Sequence, residues 1–158
     1  MDEKFNLFLN EIPFECQDFV LELDEYLTKK GSKRTVKTAK SGFVASYSHP
    51  KSDKALLNYV FRKTGVKIRI YAAGIAGYSD ILADFPDNMK KEIIKGVDCK
   101  KLNGLNCSPT CTAGYSFVMD GVQYKKCKNT AFFHSLEKNN FSAVKKLIEA
   151  EIECDDRG

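Results

Sequence analysis

Of the six cysteines in this 158-residue chain, four fall close together, spaced Cys99-x7-Cys107-x3-Cys111-x15-Cys127. Four thiolates can close a tetrahedral zinc shell, and structural zinc sites are commonly four-coordinate with Cys and His donors. Cys107 and Cys111 sit among Asn, Gly, Ser, Pro and Thr, and Cys127 follows a hairpin able to return its sulfur to that loop. The stretch 97–114 has little apolar content, so a metal would supply the cross-link it otherwise lacks. The spacing is not the doubled Cys-x2-Cys of the strongest zinc signatures. Unliganded thiols therefore stay open, as does a thiol-dependent enzyme or redox sensor using the Cys107/Cys111 pair. An iron–sulfur cluster fits less well, because the spacing departs from the ferredoxin runs. Cys16 and Cys154 stand apart from this group.

Catalytic chemistry has little else to draw on. A cysteine nucleophile needs a base, and His49 and His134 are the two histidines. His49 precedes Pro50 in a loop, and His134 lies in an apolar run that suggests a core or sheet-face residue. The acidic clusters Asp24/Glu25, Glu149/Glu151/Glu153 and Asp155/Asp156 read as solvated charge on helices or tail. Phosphate-binding glycine loops and a His-Glu-x-x-His zinc motif are absent from the sequence.

Charge supplies the second lead. Residues 1–28 hold one lysine and eight acids, whereas residues 29–72 hold twelve bases and one acid, inside a formal net charge of +4. Such an island is either a solvated sheet face or a surface for a small anionic ligand or nucleic acid. Arg62, Lys63, Lys67 and Arg69 are its anion-binding candidates, interleaved with Tyr59, Phe61 and Tyr71. Alternation puts Val66, Ile68 and Ile70 inward and Lys67, Arg69 and Tyr71 outward. Tyr59 and Phe61 share a face with Leu57, and a core-facing role is the simpler assignment for them. A pocket between the sheet and the loop Ala72–Tyr78 is a further seat for a small anion, because Gly74 and Gly77 permit close approach.

The elements that must position these groups follow from periodicity. Phe14, Phe19, Val20, Leu23, Tyr26 and Leu27 predict an amphipathic helix over 14–30, stopped at Gly31. Short strands are expected over Thr35–Ala39 and Phe43–Ser48, and a hairpin over Leu56–Arg62 and Val66–Ala72. Helices over Tyr78–Phe85 and Asp87–Lys95 flank Pro86, with Asp87 as cap of the second. Tyr115–Met119 and Val122–Lys126 surround the turn Asp120-Gly121, a strong hairpin signal. An apolar strand over Thr130–Leu136 and a last helix capped by Asn139/Asn140 complete the order. The fold class is α+β: one domain over 1–158, a mostly antiparallel sheet packed by helices on one side, with a cysteine-rich loop and hairpin at 97–128.

No apolar run approaches the ~18–20 residues that cross a bilayer, and the acidic start lacks a signal-peptide core. The expected compartment is the cytoplasm, where thiols stay reduced. An interaction role for the acidic helix 14–30, toward a partner or a second copy, is a further reading.

The runs SGFVASYSH, LLNYVFRKTGVKIRIYA and CKKLNGLNCSPTCTAGYSFVMDGVQYKKCKNTAFF resemble small uncharacterised bacterial cytoplasmic proteins of roughly this length. The likeness spans about residues 30–150, and the element order is similar to small α+β domains of the YdhG and MmcQ type. The resemblance implies a cytoplasmic α+β domain; it carries over no activity and no site residues.

Overall fold

A computed structural model describes residues 3–40, 42–63, 65–72, 74–99, 114–127 and 130–154. Helices α1 (Glu3–Glu11) and α2 (Phe14–Lys30) lead into strands β1 (Arg34–Ala39), β2 (Gly42–Ser48), β3 (Ala55–Arg62) and β4 (Gly65–Ile70). Helices α3 (Ser79–Ala83) and α4 (Asp87–Lys95) follow, then β5 (Tyr115–Met119), β6 (Val122–Lys126), β7 (Phe133–Ser135) and α5 (Phe141–Cys154). The larger sheet has the order β1-β2-β3-β4-β7 with antiparallel neighbours throughout, and β5-β6 pair by themselves. The α+β expectation holds, and its strand boundaries shift by a residue or two.

Registry explains the layering. Val36, Ala45, Tyr59, Ile68 and His134 stand in one row across the sheet, and Tyr47, Leu57 and Ile70 in the next row on the same face. All are buried. The helices cover this face: Phe8 of α1 packs on Tyr59 with ring centroids 5.5 Å apart, and Cys16 of α2 donates its thiol to the Leu136 carbonyl. α5 lies against α2 through the stacked rings of Phe19 and Phe141, 4.2 Å apart. Because alternate residues of a strand point to opposite faces, Val44, Ser46, Asn58, Lys67, Arg69 and Phe133 occupy the outer side.

Four local expectations are corrected. Helix α1 precedes the expected first helix; its Phe5, Phe8, Leu9 and Ile12 have the spacing of a helix, which the reading from sequence passed over, and Phe5 and Phe8 are buried. The helix expected from Tyr78 shortens to Ser79–Ala83 behind a 3-10 turn at Ile75–Gly77. Pro86, not Asp87, is the N-cap of α4, with no side-chain capping bond. The strand expected over Thr130–Leu136 contracts to β7, because the amides of Thr130 and Ala131 turn back onto the Cys127 carbonyl. Asn140 is buried in a 3-10 turn and bonds the Ser135 carbonyl and the Asn88 amide, tying the end of β7 to the start of α4.

One polar cluster pins the helical layer to the sheet. Asp24 of α2 accepts from Arg34 at 2.6 Å and from the Tyr47 hydroxyl at 2.7 Å, and the Arg34 guanidinium lies 4.1 Å from the Phe5 ring centroid. Both charged side chains are less than one-fifth exposed. Removing one member strands the other in a poorly solvated site, so Asp24→Ala is expected to cost about 2–4 kcal/mol and Tyr47→Phe about 1 kcal/mol. Urea unfolding checks this: both midpoints should fall with unchanged slope, and equal midpoints for wild type and Asp24→Ala would contradict it.

Candidate anion-binding face and cysteine hairpin

The β3–β4 hairpin alternates inward apolar and outward basic residues, as its sequence requires. What the structure adds is β7 beside β4. Register sets Phe133 opposite Arg69 and Ser135 opposite Lys67. The half-buried Phe133 ring becomes the focus of three cations: Arg69 at 4.6 Å, Lys67 at 5.3 Å and Arg62 at 5.5 Å from its centroid. Three of the four expected anion-binding residues are thus brought together. Lys63 stands in the turn at the hairpin's end, exposed. The expected aromatic partners divide otherwise: Tyr59 is fully buried, and Phe61 leans on Phe8 with centroids 6.0 Å apart. Phe133 is the outward aromatic, and the reading from sequence did not single it out. The signal was present in the doublet Phe132-Phe133, where one ring must face in and the other out.

Arg69 also donates to the Asn58 side-chain carbonyl at 3.4 Å, and Lys67 lies 3.7 Å from Glu92 of α4. Glu92 is the second residue missed by periodicity. Its other carboxylate oxygen is 3.1 Å from Nδ1 of His134, which is fully buried between Phe85 and Phe132. A carboxylate only accepts, so Nδ1 carries the proton. The His134 Nε2 has no partner among the described residues. Burial alone would raise the Glu92 carboxyl; the hydrogen bond and electrostatic attraction of His134, then the Lys67 ammonium, outweigh it and hold the carboxyl below its usual value.

The alternative anion seat at the Ala72–Tyr78 loop is occupied from within. Buried Glu151 of α5 accepts from the Gly74 amide at 3.2 Å and from the Tyr78 hydroxyl at 3.1 Å. A carboxylate in that position repels an incoming anion, so the loop is a clamp on α5 rather than a pocket. His49 joins the clamp. Its Nδ1 accepts from the Lys51 amide, which leaves Nε2–H to donate to the Glu151 carbonyl at 3.2 Å.

Two of the four clustered cysteines can be placed; Cys107 and Cys111 lie outside the described residues. Asp98 bridges Lys126 in antiparallel pairing, with the Cys99 amide donating to Lys125 at 2.9 Å and the Cys127 amide to Val97 at 2.7 Å. The segment therefore lies antiparallel beside β6 through an isolated bridge. Alternation sets Cys99 and Cys127 on one face as diagonal neighbours, roughly 7–8 Å apart at Cα. The opposite face holds Lys126, whose ammonium bonds Asp98 and the Ile94 and Gly96 carbonyls at the C-terminal end of α4. Gly114 closes the arrangement: its amide donates to the Cys99 sulfur at 3.2 Å, and a Cβ there would overlap the Lys126 carbonyl. No group of three or more metal-ligating side chains occurs among the described residues. Burial pushes the Cys16 thiol up, away from reactivity.

Comparison of the chain with protein-family profiles, with curated proteins and with solved structures returns no match. Among the described residues, no helix is long and apolar enough to cross a membrane.

Glu92 titrates below its unfolded value, so its stabilising contribution is present above the ordinary carboxylate range and is lost as pH falls through the folded value. Between about pH 6 and pH 3 the wild type should therefore lose more melting temperature than Glu92→Gln. Parallel melting curves for the two across this range would contradict the assignment.

Proposed function

We propose that this domain binds single-stranded nucleic acid through the outer sheet face around Phe133. The observation that supports the reading is the convergence of Arg62, Lys67 and Arg69 on one aromatic ring. Like charges repel when gathered, and a phosphate-bearing partner is what relieves that repulsion. Phosphates supply the counter-charge along the strands, while Phe133 and the guanidinium planes offer stacking surface for bases. A small anionic ligand is the less supported partner. Its recognition calls for a concave seat, whereas the outer side of a sheet suits an extended strand.

Fluorescence anisotropy with a labelled single-stranded oligonucleotide tests the proposal. Two full phosphate contacts, with Lys67 a partial third, predict a log–log salt slope between about −1.4 and −2, since each full contact contributes roughly 0.7 for single strands. The double variant Arg62→Glu/Arg69→Glu should weaken binding at least about tenfold and flatten the slope. Affinity indifferent to salt or to those reversals overturns it. Equal competition by inorganic phosphate or a mononucleotide would assign the face to a small anion instead.

A structural zinc held by Cys99, Cys107, Cys111 and Cys127 is the second proposal. It is supported by the placement of Cys99 and Cys127 on one face beside that isolated bridge and by the amide of Gly114 donating to the Cys99 sulfur. Such a bond favours the thiolate that zinc requires. Elemental analysis of protein purified without added metal should find about one zinc per chain, and a chelator should lower the melting temperature. Metal near zero, with melting indifferent to chelator, removes the proposal.

A further inference from the structure

The basic face carries its own anion. Glu92 reaches across the sheet edge from α4, and its two oxygens do different work: one is 3.1 Å from Nδ1 of His134, the other 3.7 Å from the Lys67 ammonium. His134 is fully buried on β7 between the rings of Phe85 and Phe132, which restricts its ring. The carboxylate is therefore held by a buried donor at the rim of the cation cluster and cannot swing into solvent without breaking that part-buried hydrogen bond. Glu92 is about one-quarter exposed and Lys67 about one-fifth, so the pair is open enough to be reached by a ligand and sheltered enough to be only partly screened.

We infer that Glu92 is a built-in competitor for the nucleic-acid phosphate at Lys67, positioned by His134, and that it sets the affinity of the outer face. The inference rests on the reading of that face given above. A phosphate approaching Lys67 meets a carboxylate already beside the ammonium, so the lysine contributes less than a full contact until the two anions exchange. Arg62 and Arg69 lie against the Phe133 ring, Arg62 donating to the Phe61 carbonyl and Arg69 to Asn58. Through the exchange at Lys67 the face is made weaker, and more readily reversible, than its charge alone would make it.

Glu92→Gln tests this, because the amide oxygen can still accept from His134 while the charge is gone. Glu22→Gln on the exposed side of α2 makes the same change in net charge far from the site. With the oligonucleotide probe, Glu92→Gln should bind about three- to fivefold tighter than wild type, and its salt slope should steepen by roughly 0.7, one further phosphate. Glu22→Gln should leave the slope unchanged. Placed in a Lys67→Gln background, Glu92→Gln should gain nothing, since the effect runs through the lysine. If wild type binds and Glu92→Gln matches Glu22→Gln, or if the gain survives in the Lys67→Gln background, this inference falls while the binding face stands. Absence of oligonucleotide binding by every variant sinks the face and the inference together. A melting curve for each variant confirms that the folded protein is what is compared.

Discussion

The pairing of β7 with β4 is the contact on which the rest of the candidate site depends. It joins only three residues to a strand more than sixty positions earlier, and it is held at both ends: the Ile70 amide donates to the Phe132 carbonyl, and the Leu136 amide to the Val66 carbonyl. Cys16 of α2 and Asn140 ahead of α5 also anchor its C-terminal end through the Leu136 and Ser135 carbonyls. A strand this short has little propensity of its own, and these ties from three directions substitute for length. Their consequence is a division of the sequence Phe132-Phe133-His134 between environments: Phe132 and His134 enter the core, and Phe133 goes to the basic face.

Charge is distributed on the same principle. Acids on α2, α4 and α5 are turned inward only where a specific donor awaits them: Asp24 beneath Arg34 and Tyr47, Glu92 beside His134 and Lys67, Glu151 against Gly74 and Tyr78. A buried carboxylate without such partners would cost more than the fold can spare. Arg34 apart, Lys67 and Arg69 of the larger sheet instead point to its outer side. The acidic first third and basic second third of the sequence are thus balanced within the fold at Asp24–Arg34, while the outer face keeps most of its positive charge.

Much of this was legible in advance. The alternation of Val66, Ile68 and Ile70 with Lys67 and Arg69 could be satisfied in one way once one face was buried. Asp120-Gly121 likewise demanded a tight hairpin, and both residues do adopt positive φ, 53° and 81°. Local periodicity carries such information because it depends on neighbours two to four positions apart. Helix α1 went unread although Phe5, Phe8, Leu9 and Ile12 have helical spacing; β3 offers Tyr59 and Phe61 to receive Phe8. Not legible were the partners of Glu92, Glu151 and Lys126, each of which finds its donor or acceptor at least twenty-five residues away.

The sequence by itself determined which residues of the central hairpin face outward, that they are basic, and that four cysteines are concentrated in one region. Whether a cation stands alone, meets an aromatic ring or is opposed by a carboxylate was decided only in the tertiary structure. The reason is physical: alternation is a property of one strand, whereas the company a side chain keeps is set by whichever strand docks alongside. Here that strand is β7, which carries Phe133 to the cations and, through His134, Glu92 to Lys67.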